Sequence, residues 1–222
     1  MRAKKGILIA VEGIDGCGKS TQIQLIQRWL ELSGIKVFST AWDSSNIIGN
    51  AIRKGKRENL LTPTTFSLIH ATDFTDRYER QIWPLLQAGY IVLCDRYIYT
   101  AFARDAVRGC DPGWVRKLYS FAASPDITFF LQISLQTAVQ RAPEVMPRLD
   151  FLEAGGDLHL DEDPQRGFMI YQQKLQAEYG RMVDEYDFAK IGGDRSIEEV
   201  QEEMREVIAS RVELGHYQWG LQ

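Results

Sequence analysis

Eight consecutive residues, Gly13-Ile14-Asp15-Gly16-Cys17-Gly18-Lys19-Ser20, match the spacing G-x-x-x-x-G-K-[ST] without a mismatch, and Thr21 follows. Such a run can hold the phosphates of a nucleoside triphosphate. Glycines let backbone N–H groups turn toward phosphate oxygens, a lysine places a compact positive charge at the β and γ phosphates, and the closing hydroxyl can bind Mg²⁺. Gly13, Gly16 and Gly18 shape the loop here, Lys19 supplies the charge and Ser20 the hydroxyl. Cys17 reads as a small residue that the loop tolerates, not as a nucleophile.

A second chemical pair, Asp95-Arg96, precedes Tyr97 and directly follows the apolar run Tyr90-Ile91-Val92-Leu93-Cys94. In open α/β sheets the carboxyl ends of the strands face the ligand crevice. A carboxylate at that end can hold Mg²⁺, through water, opposite Ser20. The planar fork of Arg96 can reach a phosphate. A surface salt bridge would also account for the pair, but its position after a phosphate loop favours the ligand.

These groups need a strand before the loop and a helix after it. Residues 6–11 read as a buried parallel strand and 19–33 as a helix with Ile23, Ile26, Trp29 and Leu30 on one face. The loop then lies at a helix N-terminus, where backbone donors and the helix dipole favour anions. Further strands are expected at 37–39, 90–95, 127–131 and 188–191. Helices are expected at 46–55, 63–88, 100–107, 111–123, 134–141, 164–185 and 196–214. Five strands alternating with helices make an α/β fold of the P-loop NTPase type, a parallel sheet covered on both faces. The chain is read as a single domain over 1–222 with a lid at about 142–166, where prolines, a Gly155-Gly156 pair and acidic residues fit no regular element. The run Asp157-x-His159-x-Asp161-x-Asp163 lacks the glycine and the closing glutamate of a calcium loop, so Asp163 is read as a helix cap.

A net charge of −4 argues against a nucleic-acid polymer as partner. The three cysteines are not motif-spaced, which suits a reducing cytoplasm and excludes a disulfide scaffold. The apolar run after Lys5 stops at Glu12 and Asp15 with no small-residue cleavage site, so it does not read as a signal peptide. No segment is long and apolar enough for a membrane span.

Several stretches together resemble the thymidylate kinase family: Glu12-Gly13-x-Asp15-Gly16-x-Gly18-Lys19-Ser20-Thr21, Gly49-x-x-Ile52-Arg53, Ile82-x-Pro84-x-Leu86-x-x-Gly89, Asp95-Arg96-Tyr97 and Ser124-Pro125-Asp126-Ile127. Tyr171, Leu175 and Tyr179 match the helix after that family's lid. The resemblance implies a five-stranded parallel sheet, a mobile lid, a homodimer, and ATP- and Mg²⁺-dependent phosphorylation of a nucleoside monophosphate, dTMP first. It also places Asp15 and Arg96 at the acceptor phosphate and the adenine of ATP near Gly192-Gly193-Asp194-Arg195, where a plain turn fits the residues equally well.

The resemblance thins where the acceptor is read. Ala41-Trp42-Asp43-Ser44-Ser45-Asn46 stands where the family usually has Arg-Glu-Pro-Gly-Gly-Thr. Leu68-Ile69-His70-Ala71-Thr72-Asp73-Phe74 stands for Leu-Leu-Phe-x-Ala-Asp-Arg, so His70 takes the base-stacking place and Phe74 the phosphate-binding one, with Arg77 a turn on as a substitute charge. Thr100-Ala101-Phe102-Ala103-Arg104-Asp105 puts Arg104 and Asp105 where Tyr-Gln usually reads sugar and base. His70 also fits a satisfied core histidine, and Arg104–Asp105 a solvated pair. With no arginine inside the phosphate loop, Arg141 and Arg148 at the start of the lid are the candidates for a catalytic charge, with Arg166 behind them.

Overall fold

The structure, a computed structural model, describes residues 5–149 and 151–219, with the side chain of Arg148 outside the described part. Strands β1 (Ile7–Glu12), β2 (Val37–Ala41), β3 (Ile91–Asp95), β4 (Ile127–Gln132) and β5 (Ala189–Gly192) form one five-stranded sheet, all parallel, in the order β2-β3-β1-β4-β5. Leu8, Ile9, Ala10 and Val11 of β1 are all fully buried. Successive side chains point to opposite faces, so the centre of the sheet is covered on both. Thr40 is the buried position on edge strand β2.

The helices are α1 (Lys19–Leu32), α2 (Gly49–Arg57), α3 (Pro63–Arg77), α4 (Trp83–Gln87), α5 (Ile98–Val107), α6 (Pro112–Leu118), α7 (Leu135–Val145), α8 (Pro164–Glu185) and α9 (Ile197–Arg211). Local chemistry sets their starts. The Thr62 side chain accepts from the Thr65 N–H ahead of Pro63, Asp163 accepts from the N–H groups of Gln165 and Arg166, and Ser196 with Glu199 forms a reciprocal capping box. The helix expected at 63–88 is interrupted: Tyr78–Ile82 widens into a π turn before α4. Pro84 has no N–H to donate and its ring crowds the preceding turn, which the wider turn relieves. The helix expected at 111–123 stops at Leu118, and Asp111 caps it.

The segment expected to be a lid is partly regular and partly fastened. Helix α7 carries Pro143 and runs on to Val145, and short 3-10 turns follow at Met146–Arg148 and Gly156–Leu158. Arg108, fully buried, pairs with both Asp157 oxygens at 2.9 and 3.0 Å and donates to the Leu152 carbonyl at 2.6 Å and the Tyr171 hydroxyl at 2.9 Å. Gly155 is left-handed (φ +75°), and a Cβ there would lie 2.4 Å from the Tyr171 ring, so only glycine lets the chain pass this close to α8. The tail also docks: Trp219 N–H donates to the Gly34 carbonyl and Lys36 N–H to that of Tyr217. No helix among the described residues is long and apolar enough to cross a membrane.

Breaking a buried ion pair by removing one partner leaves a charge uncompensated. Arg108→Met is therefore expected to lower unfolding stability by about 3 kcal/mol, read by urea denaturation. An unchanged midpoint would show that 151–158 is not held by this residue.

Candidate active site

Strands β1 and β3 are neighbours in register, with Val11 opposite Asp95. The loop after β1 and the Asp95-Arg96 turn therefore emerge side by side, and the Arg96 N–H donates to the Val11 carbonyl at 3.1 Å. Gly13, at φ +145°, passes close to β4: a Cβ there would lie 2.6 Å from the Leu131 carbonyl oxygen.

Arg96 is the hub. Its backbone is left-handed (φ +70°), unusual for a residue with a side chain. Its guanidinium pairs with Asp15 and donates to the Gly13 carbonyl at 3.2 Å and to Thr100 Oγ1 at 3.0 Å. Gln172 of α8 holds the other side of Asp15, its Oε1 accepting from the Asp15 N–H at 3.0 Å and its Nε2 donating to Oδ2 at 3.3 Å. The Arg104 guanidinium lies 3.8 Å from the same oxygen. Burial pushes the Asp15 carboxyl upward, but the charges of Arg96, Arg104 and Lys19 outweigh it and hold the pKa at about 2.

Beneath this pair Glu12 is completely buried. It accepts from the Tyr97 N–H at 2.8 Å and from the Tyr179 hydroxyl at 2.9 Å, and that hydroxyl lies 2.8 Å from Thr100 Oγ1. Burial raises its pKa to about 7 against those hydrogen bonds and the nearby Arg96 charge.

On the loop itself Lys19 Nζ donates to the Ile14 carbonyl at 2.8 Å, and Ser20 Oγ to Asp95 Oδ2 at 2.6 Å. Arg141 of α7 reaches the Gly16 carbonyl at 2.8 Å. A cleft of about 770 Å³ runs between these groups. Asp15, Gly16, Cys17, Gly18, Lys19, Ser20 and Thr21 line it, with Asp95, Arg96, Arg104, Arg141, Trp42 and, at the far end of the loop, Arg195.

Other residues singled out in the sequence stand elsewhere. Tyr97 is a core residue whose hydroxyl donates to the Ala123 carbonyl at 2.9 Å. Arg53 is exposed and donates to Asn50. His70, Asp73, Phe74 and Arg77 are buried in α3 and do not line the cleft. Arg77 pairs with Asp73 at 3.0 Å and donates to Thr40 Oγ1 at 3.3 Å. Asp105 is buried and accepts from Ser67 Oγ at 2.5 Å, and burial raises its pKa. Arg104 and Asp105 are thus not a solvated pair. Arg166 is exposed, 4.0 Å from Asp163.

Sequence reading overlooked Gln172, Asp43, Lys56 and Glu153. Asp43 lies 3.3 Å from His70 Nε2, and Lys56 Nζ sits between Asp43 (2.7 Å) and Glu153 (2.8 Å). Burial opposes ionisation of Asp43, yet His70 and Lys56 hold its carboxyl well below the usual range. Gln172 left a signal: a polar residue on the apolar face of Phe168, Tyr171, Leu175 and Tyr179.

A glycine-rich loop of this pattern at the end of a central parallel strand, beside an Asp-Arg turn on the adjacent strand and opening with it onto one cleft, is the arrangement of a P-loop kinase. The family model described as thymidylate kinase matches residues 11–204, and the chain belongs to the thymidylate kinase family. It is similar to a protein of Saccharolobus solfataricus named "Probable thymidylate kinase 2", 44% identical over 211 residues, covering 94% of this chain and 98% of the relative. A "Thymidylate kinase" of Halothermothrix orenii is 28% identical over 206 residues, covering 90% of this chain and 95% of that one. A "Probable thymidylate kinase" of Thermococcus gammatolerans is 34% identical over 145 residues, 61% of this chain and 70% of its own. The protein is accordingly a phosphotransferase of the nucleoside monophosphate kinase class.

Glu12 gives a pH signature. Between pH 4.5, its ordinary value, and about 7 the folded chain keeps a proton that the unfolded chain has lost. Stability therefore falls as pH rises through that window, by on the order of 3 kcal/mol. Urea titrations at pH 5 and pH 8 should show Glu12→Gln losing less stability than the unsubstituted protein. Equal losses would mean that Glu12 ionises at its ordinary pKa.

Proposed function

We propose that this protein transfers the γ-phosphoryl group of Mg-ATP to the 5′-phosphate of a nucleoside monophosphate, with dTMP as the acceptor. The observation that carries the reading is one cleft lined both by the loop, with Asp15, Lys19 and Ser20, and by Asp95, Arg96 and Arg104. The names of the relatives support dTMP.

In this reading the amides of Gly13–Ser20 and Lys19 Nζ hold the triphosphate, Arg96 holds the acceptor's phosphate, and Asp15 fixes the Arg96 fork. Arg141, tied to the loop at Gly16, supplies positive charge as the phosphoryl group moves. Arg148 shares that role as a candidate. The acceptor phosphate is already an anion, so no side chain need take a proton from it. Arg195, with Gly193, Ile197 and Val200 in the cleft wall, faces the nucleoside of ATP.

Ser20 Oγ and Asp95 Oδ2, 2.6 Å apart, are hard oxygen donors of the kind Mg²⁺ takes. No group of three or more His, Cys, Asp or Glu among the described residues could cage a metal. That suits an ion that keeps waters and phosphate oxygens as its other ligands. When bound, the ion offsets charge on the β and γ phosphates. The assembly is taken to be a homodimer and the setting cytoplasmic, both from the family likeness; a clean monomer in sedimentation at high concentration would remove the dimer.

A second acceptor base is the competing reading, favoured by the burial of His70 and Phe74 away from the cleft. A nucleotide-sensing protein without turnover is a third. Coupled ADP release across a panel of nucleoside monophosphates separates the three: fastest with dTMP, fastest with another, or absent despite ATP binding. Lys19→Ala is expected to reduce turnover by about 10³-fold or more with the fold intact by circular dichroism. Normal turnover in that variant would refute the mechanism.

A further inference from the structure

Helix α3 offers the cleft very little. His70 and Phe74 are at most 2% exposed, and Arg77, 1% exposed, pairs through Nε with Asp73 and donates through one terminal nitrogen to Thr40, its other nitrogen being buried away from the cleft lining. Four lining residues from other elements have a buried polar atom without a hydrogen-bond partner: Gln22 at Oε1, Trp42, just after β2, at its indole Nε1, Asp43 at Oδ1, which lies 3.3 Å from His70 Nε2, and Arg104 of α5 at Nε; of these, Trp42 and Arg104 offer donors.

Trp42 is built as a platform. Its backbone N–H donates to the Asp95 carbonyl at 3.1 Å, which pins it to the strand end that precedes Arg96. Behind it His70 lies nearly parallel, at 10° with centroids 6.3 Å apart, and Phe74 and Tyr119 approach at 5.9 and 6.5 Å. The Arg77 guanidinium sits 5.6 Å from the indole centroid. A half-buried indole braced in this way has a fixed orientation, and an aromatic face beside a cleft stacks a nucleobase at little conformational cost. Arg104 is 5% exposed. In the site its guanidinium lies 3.8 Å from Asp15, which Arg96 and Gln172 already engage. A planar fork held there with donors to spare suits an oxygen-rich group.

We infer that acceptor recognition in this chain rests on Trp42, which stacks the base, and Arg104, which donates to oxygens of the sugar–phosphate half, while α3 serves as their support. This deepens the proposed kinase reading and rests on it for the identity of the acceptor as a nucleoside monophosphate.

The test compares Trp42→Leu, Trp42→Phe, Arg104→Met and Arg104→Lys with the unsubstituted protein, measuring KM and kcat for dTMP and for ATP separately. Trp42→Leu should raise the dTMP KM about ten-fold or more, with Trp42→Phe recovering most of it. Arg104→Met should lower kcat/KM for dTMP about ten-fold or more, with only part returned by Arg104→Lys. The ATP KM, within about two-fold of the original, reports that each variant is folded. 3′-Deoxythymidine monophosphate tells the two targets of Arg104 apart: its loss of affinity disappears in Arg104→Met for a sugar contact and persists for a phosphate contact. A dTMP KM unchanged in both Trp42→Leu and Arg104→Met would overturn the inference.

Binding is read independently of turnover. Tryptophan emission should be quenched by saturating dTMP in the unsubstituted protein and not in Trp42→Phe. If no monophosphate is turned over, the kinase reading fails while this titration still decides about Trp42. If turnover is normal and the quench persists in Trp42→Phe, only the present inference fails.

Discussion

The Asp15–Arg96 pair ties the two halves of the site into one object. It joins the loop after β1 to the turn after β3, and both strands are interior to the sheet. Removing two charges from water costs several kcal/mol for each ion, a cost that is offset only when the remaining donors and acceptors are also satisfied. Here they largely are: Gly13 and Thr100 accept from Arg96, and Gln172 engages Asp15 from the opposite side. The left-handed backbone at Arg96 is the local strain that this network sustains. Glu12 and Tyr179 extend the network downward, so α8 and the centre of the sheet both fix where the arginine points.

Around that hub the two ends of the cleft follow different rules. In the proposed reading the triphosphate end is the loop with Lys19 and Ser20, a short contiguous motif that touches β3 through Asp95 and α7 through Arg141. The end proposed for the acceptor depends on long-range packing. Trp42 directly follows edge strand β2, packs against α3 and is pinned to β3. Lys56 of α2 joins Asp43, beside that tryptophan, to Glu153. Arg108 fastens the same segment to α5 and α8. Glu153 of that stretch lines the cleft, and the end of α7, where the expected lid begins, lies against the loop, with Val145 beside Gly16 and Arg141, just before it, bonded to the Gly16 carbonyl.

This contrast explains what could be read from the residues alone. The five strands, their parallel sense and the helix starts at Pro63, Pro164 and Ile197 follow from apolar runs and capping residues, which are local signals. The P-loop and its Asp-Arg partner could be located because each is a short motif at a strand end. His70 and Phe74 are different. Position along the chain assigned them to the acceptor, yet whether a helical side chain reaches a cleft depends on what lies in front of it, and here that is Trp42. Arg104 and Asp105 are adjacent in sequence but face different surroundings, one the cleft and Asp15, the other the buried Ser67. Gln172 and Lys56 act through partners 157 and 97 residues away, beyond the reach of any spacing rule.

The most direct test of the account is titration calorimetry with a bisubstrate analogue in which adenosine and thymidine are joined by a five-phosphate chain. If one cleft holds both the triphosphate and the acceptor, the analogue binds once per chain, and either ATP alone or dTMP alone displaces it competitively. Displacement by ATP with no effect of dTMP, or of any other nucleoside monophosphate, would contradict the claim that Asp15, Arg96 and Arg104 face an acceptor across the loop.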